Sequence, residues 1–252
     1  MENLFDMTGR VVWITGGSRG LGLEMARGFA GQGADVIITS RRADACDAAV
    51  AEVDALGDGR CWALPGHVGD WDSLDGLVDR AFALAGKVDV LVNNAGIAPV
   101  VPTSADITQT LFDKTVGVNF KGPFRLTALV APRMAAAGSG AVINISSMAS
   151  VKPGSAYPIY AASKAALNVL TEAHALEYGP QVRVNGIMCG PFRTDIATAW
   201  ADDLERVIQS GAGRIGRPDE IITTALYLAS PRSSYTTGSV IRLDGCIDEY
   251  RV

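Results

Sequence analysis

The chain has no cysteine pair spaced to hold a metal and no excess of positive charge to hold nucleic acid. Cys46, Cys61, Cys189 and Cys246 are far apart and form no Cys-x-x-Cys, which fits isolated reduced thiols rather than disulfides or a zinc centre. No metal site is expected. The formal net charge is -5, and the tight basic pair of the first half is Arg41-Arg42, so neither nucleic acid nor an anionic membrane surface is an expected partner. No apolar run reaches the roughly 18 residues of a membrane span. The opening Met-Glu-Asn-Leu-Phe-Asp-Met-Thr-Gly-Arg lacks a basic region followed by an apolar one, so the expected location is cytoplasmic. Long polar linkers, internal repeats and low-complexity tracts are also missing. The 252 residues, 48% hydrophobic and 19% charged, therefore read as one domain over 1–252 with one substantial core.

What is present is an alternation of short apolar runs with longer amphipathic segments, the pattern of βαβ units on a parallel sheet. The spacing predicts strands near 11–15, 35–39, 60–64, 88–92, 141–146, 182–188 and 239–243. Helices are predicted near 20–32, 43–56, 71–85, 108–136, 157–178 and 218–229. Seven mostly parallel strands with helices on both faces make a doubly wound, Rossmann-like α/β fold. The stretch 190–217 is the least regular and is read as a short helical lid over a site.

The first strand ends in Thr15-Gly16-Gly17-Ser18-Arg19-Gly20-Leu21-Gly22. Glycines let the backbone turn sharply and approach a pyrophosphate, which the free N–H groups of the next helix then hold. The spacing is Gly-x-x-x-Gly-x-Gly, and with a strand before and a helix after it reads as nucleotide binding. The same residues spell the hydrolase elbow Gly-x-Ser-x-Gly. An elbow requires earlier strands to supply an oxyanion loop, yet only 17 residues precede Ser18, and His67 and His174 are the only candidate bases. The second strand, Asp35 to Thr39, ends at Ser40-Arg41-Arg42. An acid at this point would hold a ribose 2′-hydroxyl, whereas a 2′-phosphate requires cations. Arg41 and Arg42, with Arg19 across the glycine turn, make NADP(H) the expected cofactor over NAD(H).

Val88 to Val92 leads into Asn93-Asn94-Ala95-Gly96, where Asn side chains can tie down neighbouring backbone. Asn119 falls inside a predicted helix beside Gly117, and both residues disfavour regular helix there; a kink would free a carbonyl for water. Tyr160 and Lys164 lie one turn apart if Pro158 opens a helix. A phenol titrates near pH 10, and a cation about 5 Å away at an effective dielectric of about 20 favours the phenolate by roughly 3 kcal/mol, or about two pKa units. Ser147, 13 positions upstream at the end of an apolar run, can bring a hydroxyl to the same phenol. Taken alone, Tyr-x-x-x-Lys reads more readily as a surface helical pair. With the hydroxyl, it is a carbonyl-reducing site.

These residues together resemble the short-chain dehydrogenase/reductase family, and the resemblance covers nearly the whole chain. The glycine motif matches Thr15 to Gly22, the Asn-Asn-Ala-Gly motif matches 93–96, and the catalytic tetrad falls on Asn119, Ser147, Tyr160 and Lys164. The segment Asn185 to Thr194 is similar to the family's sixth strand and its extension, which brings in Pro191 and Thr194. The resemblance implies Tyr160 as general acid in reduction and Ser147 polarising the carbonyl. It implies that Lys164 lowers the phenol's pKa and holds the nicotinamide ribose, while Asn119 positions a water. It implies cofactor contacts from Gly16, Ser18, Arg19, Gly20, Leu21, Gly22, Ser40, Arg41, Arg42, His67, Val68, Asn94, Ala95, Gly96, Tyr160, Lys164, Pro191 and Thr194. The expected function is interconversion of a ketone and a secondary alcohol by an NADP(H)-dependent homotetramer, similar to 3-oxoacyl-carrier-protein reductases. A related NAD(H)-dependent alcohol dehydrogenase and a catalytically idle NADP(H) sensor are the alternatives. Two departures stand out: His67 where the family commonly has an acid near the adenine, and Cys189-Gly190 where it usually has Pro-Gly. Candidate walls of an apolar substrate pocket are Ile97, Met148, Pro153, Phe192, Ile196 and Trp200.

Overall fold

The computed structural model describes residues 3–57, 59–194 and 209–249. Strand β1 (Val11–Thr15) is buried along its whole length and β2 (Asp35–Thr39) along all but its first residue. Their unbroken Val/Ile runs suit strands covered on both faces. Around them β3 (Cys61–Ala63), β4 (Val90–Asn93), β5 (Gly140–Ser147), β6 (Val182–Cys189) and β8 (Val240–Leu243) complete a sheet in the order β3-β2-β1-β4-β5-β6-β8. Every pairing in it is parallel. The chain builds outward from β1 to β3 and then returns to place β4 on the other side of β1. That reversal opens a crevice at the carboxyl ends of β1 and β4.

Successive side chains of β1 alternate between two cores. Val12 and Ile14 pack with Met25 and Phe29 of helix α1 (Gly20–Ala30) on one face. Val11 and Trp13 face the other, with Leu77 of α3 (Leu74–Ala85) and Leu126 of α5 (Gly122–Ala136). Helix α2 (Ala43–Asp54) and α7 (Ile222–Ala229) cover the first face, and α6 (Pro158–Tyr178) packs along β5 and β6.

The long helix expected over 108–136 is interrupted. It begins as α4 (Gln109–Val116), whose Thr108 hydroxyl accepts from the N–H of Leu111, and loosens to a π turn over Gly117–Lys121 before continuing as α5. Pro123, early in α5, has no N–H for the carbonyl four residues back, that of Asn119. The kink expected at Asn119 thus takes the form of a π turn. A small antiparallel pair, β7 (Gln209–Ser210) with β9 (Ile247–Glu249), was not foreseen. Half of the lid expected at 190–217, residues 195–208, lies outside the described residues. Among the described residues no helix is long and apolar enough to cross a membrane.

Candidate active site

The turn after β1 is held against the end of β4. Asn94 Nδ2 donates to the carbonyls of Thr15 (2.9 Å) and Gly16 (3.0 Å), and Thr15 Oγ1 accepts from the N–H groups of Asn94 (3.0 Å) and Ala95 (3.2 Å). Gly16 sits at φ +65°, where a side chain is strained, and a Cβ there would lie 2.9 Å from Ala95 Cα. A Cβ on Gly22 would lie 2.3 Å from the Gly16 carbonyl oxygen. The turn and the start of α1 therefore close on each other only without side chains. Arg19 occupies the N-cap of α1 without a side-chain cap, and the first turn contains no acid. The N–H groups of Gly20, Leu21 and Gly22 and the positive end of the helix dipole have no acid in their own first turn to compensate them. Thr194 borders it, its Cβ 3.6 Å from the position a Gly20 Cβ would take. This cradle fits a pyrophosphate.

Beyond it, Ser40 Oγ donates to the Arg42 carbonyl (3.3 Å), Arg41 is exposed, and Arg42 at the N-cap of α2 is ion-paired with Asp44. Arg19 and Arg41 are thus the more available cations for a 2′-phosphate. His67 Nδ1 accepts the N–H of Gly69 (3.1 Å), so the neutral ring carries its proton on Nε2. The Val68 carbonyl packs against Gly122, where a Cβ would lie 2.4 Å from it. His67 and Val68 are in this way braced on the start of α5.

Across Gly96 lies the second half. A Cβ on Gly96 would stand 3.5 Å from both Asn119 Oδ1 and Lys164 Nζ. Asn119 is fully buried; its Oδ1 accepts from the Ile97 N–H (2.9 Å), and its Nδ2 donates to the Ile97 carbonyl (2.9 Å) and to Ser163 Oγ (3.1 Å). The side chain is fully engaged in joining the π turn to α6. Its main-chain carbonyl is the one to which Pro123, four residues on, can donate no N–H. Ser147, the last residue of β5, is in register with Cys189 on β6; its hydroxyl accepts the N–H of Ala149 (3.2 Å) and stands near enough to the Tyr160 phenol to draw its pKa down. Lys164, 4% exposed, donates through Nζ to the Ile145 carbonyl (2.7 Å) and stands 6.0 Å from the Tyr160 ring centroid.

The electrostatics differ from the sequence-based estimate. Burial pushes the Tyr160 phenol up to about 12, against a smaller downward pull from Ser147. Burial also lowers Lys164 to about 8. Desolvation penalises both charged forms and is the largest influence on each. In the cofactor-free protein Tyr160 is therefore a protonated phenol at neutral pH. Cys189, buried beside this pair, is pushed up to about 12 and stays a thiol.

The structure brings Asn119, Ser147, Tyr160 and Lys164 together and sets Asn94, Ala95 and Gly96 between them and the cradle. Pro191 is buried, its carbonyl accepting from Gly216 N–H (3.0 Å). Of the candidate pocket walls, Met148 and Phe192 are buried and Pro153 is exposed, while Ile196 and Trp200 lie outside the described residues. Three supporting residues were given no role of their own in the sequence reading. Thr15 is the hub of the cradle, Ser163 holds Asn119, and Asn144 accepts from Asn93 Nδ2 (2.9 Å) in the buried layer beneath the site. Only Thr15 carried a signal, its place at the end of β1.

Comparison with known proteins agrees with this geometry. The family model for short chain dehydrogenases matches residues 10–205. The "Dehydrogenase/reductase SDR family member 4" of Caenorhabditis elegans is 33% identical, covering 97% of each chain. The 7alpha-hydroxysteroid dehydrogenase of Escherichia coli K12 is 34% identical over 95% of this chain and 94% of its own. A crystal structure of a 3-oxoacyl (acyl-carrier-protein) reductase from Agrobacterium tumefaciens C58 with NADP bound superposes with a TM-score of 0.89 at 31% identity, covering 96% of both chains.

Proposed function

This chain belongs to the short-chain dehydrogenase/reductase family, whose members act on CH–OH and C=O groups, and we propose that it interconverts a ketone and a secondary alcohol with NADP(H) as preferred cofactor. One observation carries the reading: a buried phenol beside the Ser147 hydroxyl, one helical turn from a buried lysine and directly across Gly96 from an anion cradle. The nicotinamide, when bound, supplies or accepts the hydride. The N–H groups of Gly20, Leu21 and Gly22 hold the pyrophosphate, and Asn94, Ala95 and Gly96 wall the passage to the catalytic half. Ser147 donates to the ketone oxygen and polarises it. Tyr160 gives that oxygen its proton, a role that requires the neutral phenol its burial maintains. Lys164, charged at neutral pH despite its lowered pKa, lies where it can hold a ribose hydroxyl. The Asn119 carbonyl positions the water that returns a proton toward the site.

The 2′-phosphate is assigned to Arg19 and Arg41, with Ser40 standing where a carboxylate would repel it. Assembly as a homotetramer is part of this reading. Helix α6 buries Leu167 and Leu170 inward while Val169 (71%) and Leu176 (81%) remain exposed, more apolar surface than one stripe requires. The test is kcat/KM with NADPH and NADH for the wild type and for Ser40→Asp combined with Arg41→Ala. The wild type should prefer NADPH and the double variant NADH, since the loss of one charge-assisted contact costs about ten- to a hundredfold. A wild type that favours NADH overturns the cofactor assignment.

A further inference from the structure

We propose that Tyr157 is a specificity-determining residue, an aromatic wall that selects ketones carrying a flat apolar substituent such as an aryl ring; this rests on the ketone reading above. Tyr157 is the last residue before α6, and Pro158 disfavours helical backbone at it. The break turns its ring back toward the catalytic phenol: the two ring centroids are 6.2 Å apart and the planes meet at 79°. The hydroxyl end is seated on the loop. A Cβ on Gly154 would lie 2.5 Å from both Cζ and Oη of Tyr157, so the ring takes this place only because residue 154 has no side chain. Burial raises the Tyr157 phenol above its ordinary value, and it remains neutral at any working pH.

A ketone oxygen must lie within hydrogen-bond reach of Ser147 Oγ and Tyr160 Oη. A substituent on the same carbon then comes against whatever ring borders Tyr160, and that ring is half-buried Tyr157. The loop after β4 and the loop before α6 are joined by the Val101 N–H donating to the Ala156 carbonyl (2.8 Å), and they expose Val100 and Val151. Lys152 of the second loop donates to the Ile247 carbonyl (3.1 Å). A planar apolar group meets an aromatic ring in offset or edge-to-face contact, which a short aliphatic chain cannot match.

The experiment compares kcat/KM for butanone, acetophenone and benzophenone with NADPH in the wild type, Tyr157→Ala, Tyr157→Phe and Gly154→Ala. The wild type should favour acetophenone over butanone. Tyr157→Ala should cut that ratio by about tenfold, through KM with kcat retained, and should improve benzophenone relative to acetophenone. Tyr157→Phe keeps the ring and should restore the ratio. Gly154→Ala displaces the ring tip without altering Tyr157 and should also lower the ratio; it carries the test alone if Tyr157→Ala does not fold. An active wild type whose ratio is unmoved by Tyr157→Ala and Gly154→Ala, or whose kcat falls equally for all three ketones, overturns the inference about Tyr157 alone. A wild type that reduces none of the three overturns the ketone reading together with it.

Discussion

On one side of Gly96 the site is made of backbone, and on the other it is made of buried side chains. The cradle owes its shape to what is missing at Gly16 and Gly22, and its side chains serve to pin main-chain atoms. The catalytic half depends on Asn119, Ser147 and Lys164, polar groups at most 9% exposed whose partners satisfy them one by one. The cradle should therefore be sensitive to added volume and tolerant of polarity. The catalytic half should be sensitive to a lost proton or hydrogen bond and tolerant of shape. Predictions that separate binding from turnover test this division.

Tyr160→Phe should show the largest effect. It retains the ring and removes the one transferable proton, so kcat should fall by about a hundred- to ten-thousandfold. The dissociation constant of NADPH, measured by fluorescence titration, should change by less than about threefold, because no anion contact is touched. A variant that keeps more than about a tenth of the wild-type rate removes Tyr160 from the acid's role.

Gly22→Ala is the counterpart in the cradle, with a smaller effect of the opposite kind. The new Cβ would meet the Gly16 carbonyl oxygen at 2.3 Å, a backbone atom that Asn94 holds in place. Overpacking of this sort costs about 1–3 kcal/mol, which should weaken NADPH binding by about ten- to a hundredfold. At saturating cofactor kcat should recover most of its value. If kcat falls as far as affinity does, the two halves are coupled and the division fails.

The two halves also differed in how far they could be read in advance. Glycine spacing between a strand and a helix is a local pattern, so the cradle was legible, as were strands such as Val11–Thr15 whose apolar runs reflect burial on both faces. That Asn119, Ser147, Tyr160 and Lys164 would be brought together was legible too. Their electrostatics were not: burial is a property of the whole fold, and an estimate from the Tyr160–Lys164 spacing alone left out the desolvation that raises one and lowers the other. The break in the helix at 117–121 was legible as a kink from Asn119 and Gly117, but its form as a π turn required relating Pro123 to the carbonyl of Asn119, an offset of four that apolar periodicity hides. Asn93 and Asn144 meet across 51 positions, and β7 with β9 pairs so few residues that no alternation marks them.

Lys164 allows the sharpest test of that missing desolvation, independent of cofactor and turnover. Its pKa is lowered to about 8 in the folded chain, whereas in the unfolded chain it titrates near its ordinary value of 10.5. Between those two values the unfolded state binds more protons than the folded one, so stability conferred by this group rises with pH; below the folded pKa the full cost of a buried ammonium is present. Lys164→Met removes the titration and keeps an unbranched apolar stem. It also loses the hydrogen bond to the Ile145 carbonyl, a cost that is the same at every pH. The stability difference, wild type minus variant, should therefore shift in favour of the wild type by about 1 kcal/mol between about pH 7 and pH 9, measured by urea unfolding without cofactor. Tyr160 is present in both proteins and cancels. A difference that does not change with pH would mean that Lys164 keeps its ordinary pKa in the fold, and that the catalytic half is wetter than its burial indicates.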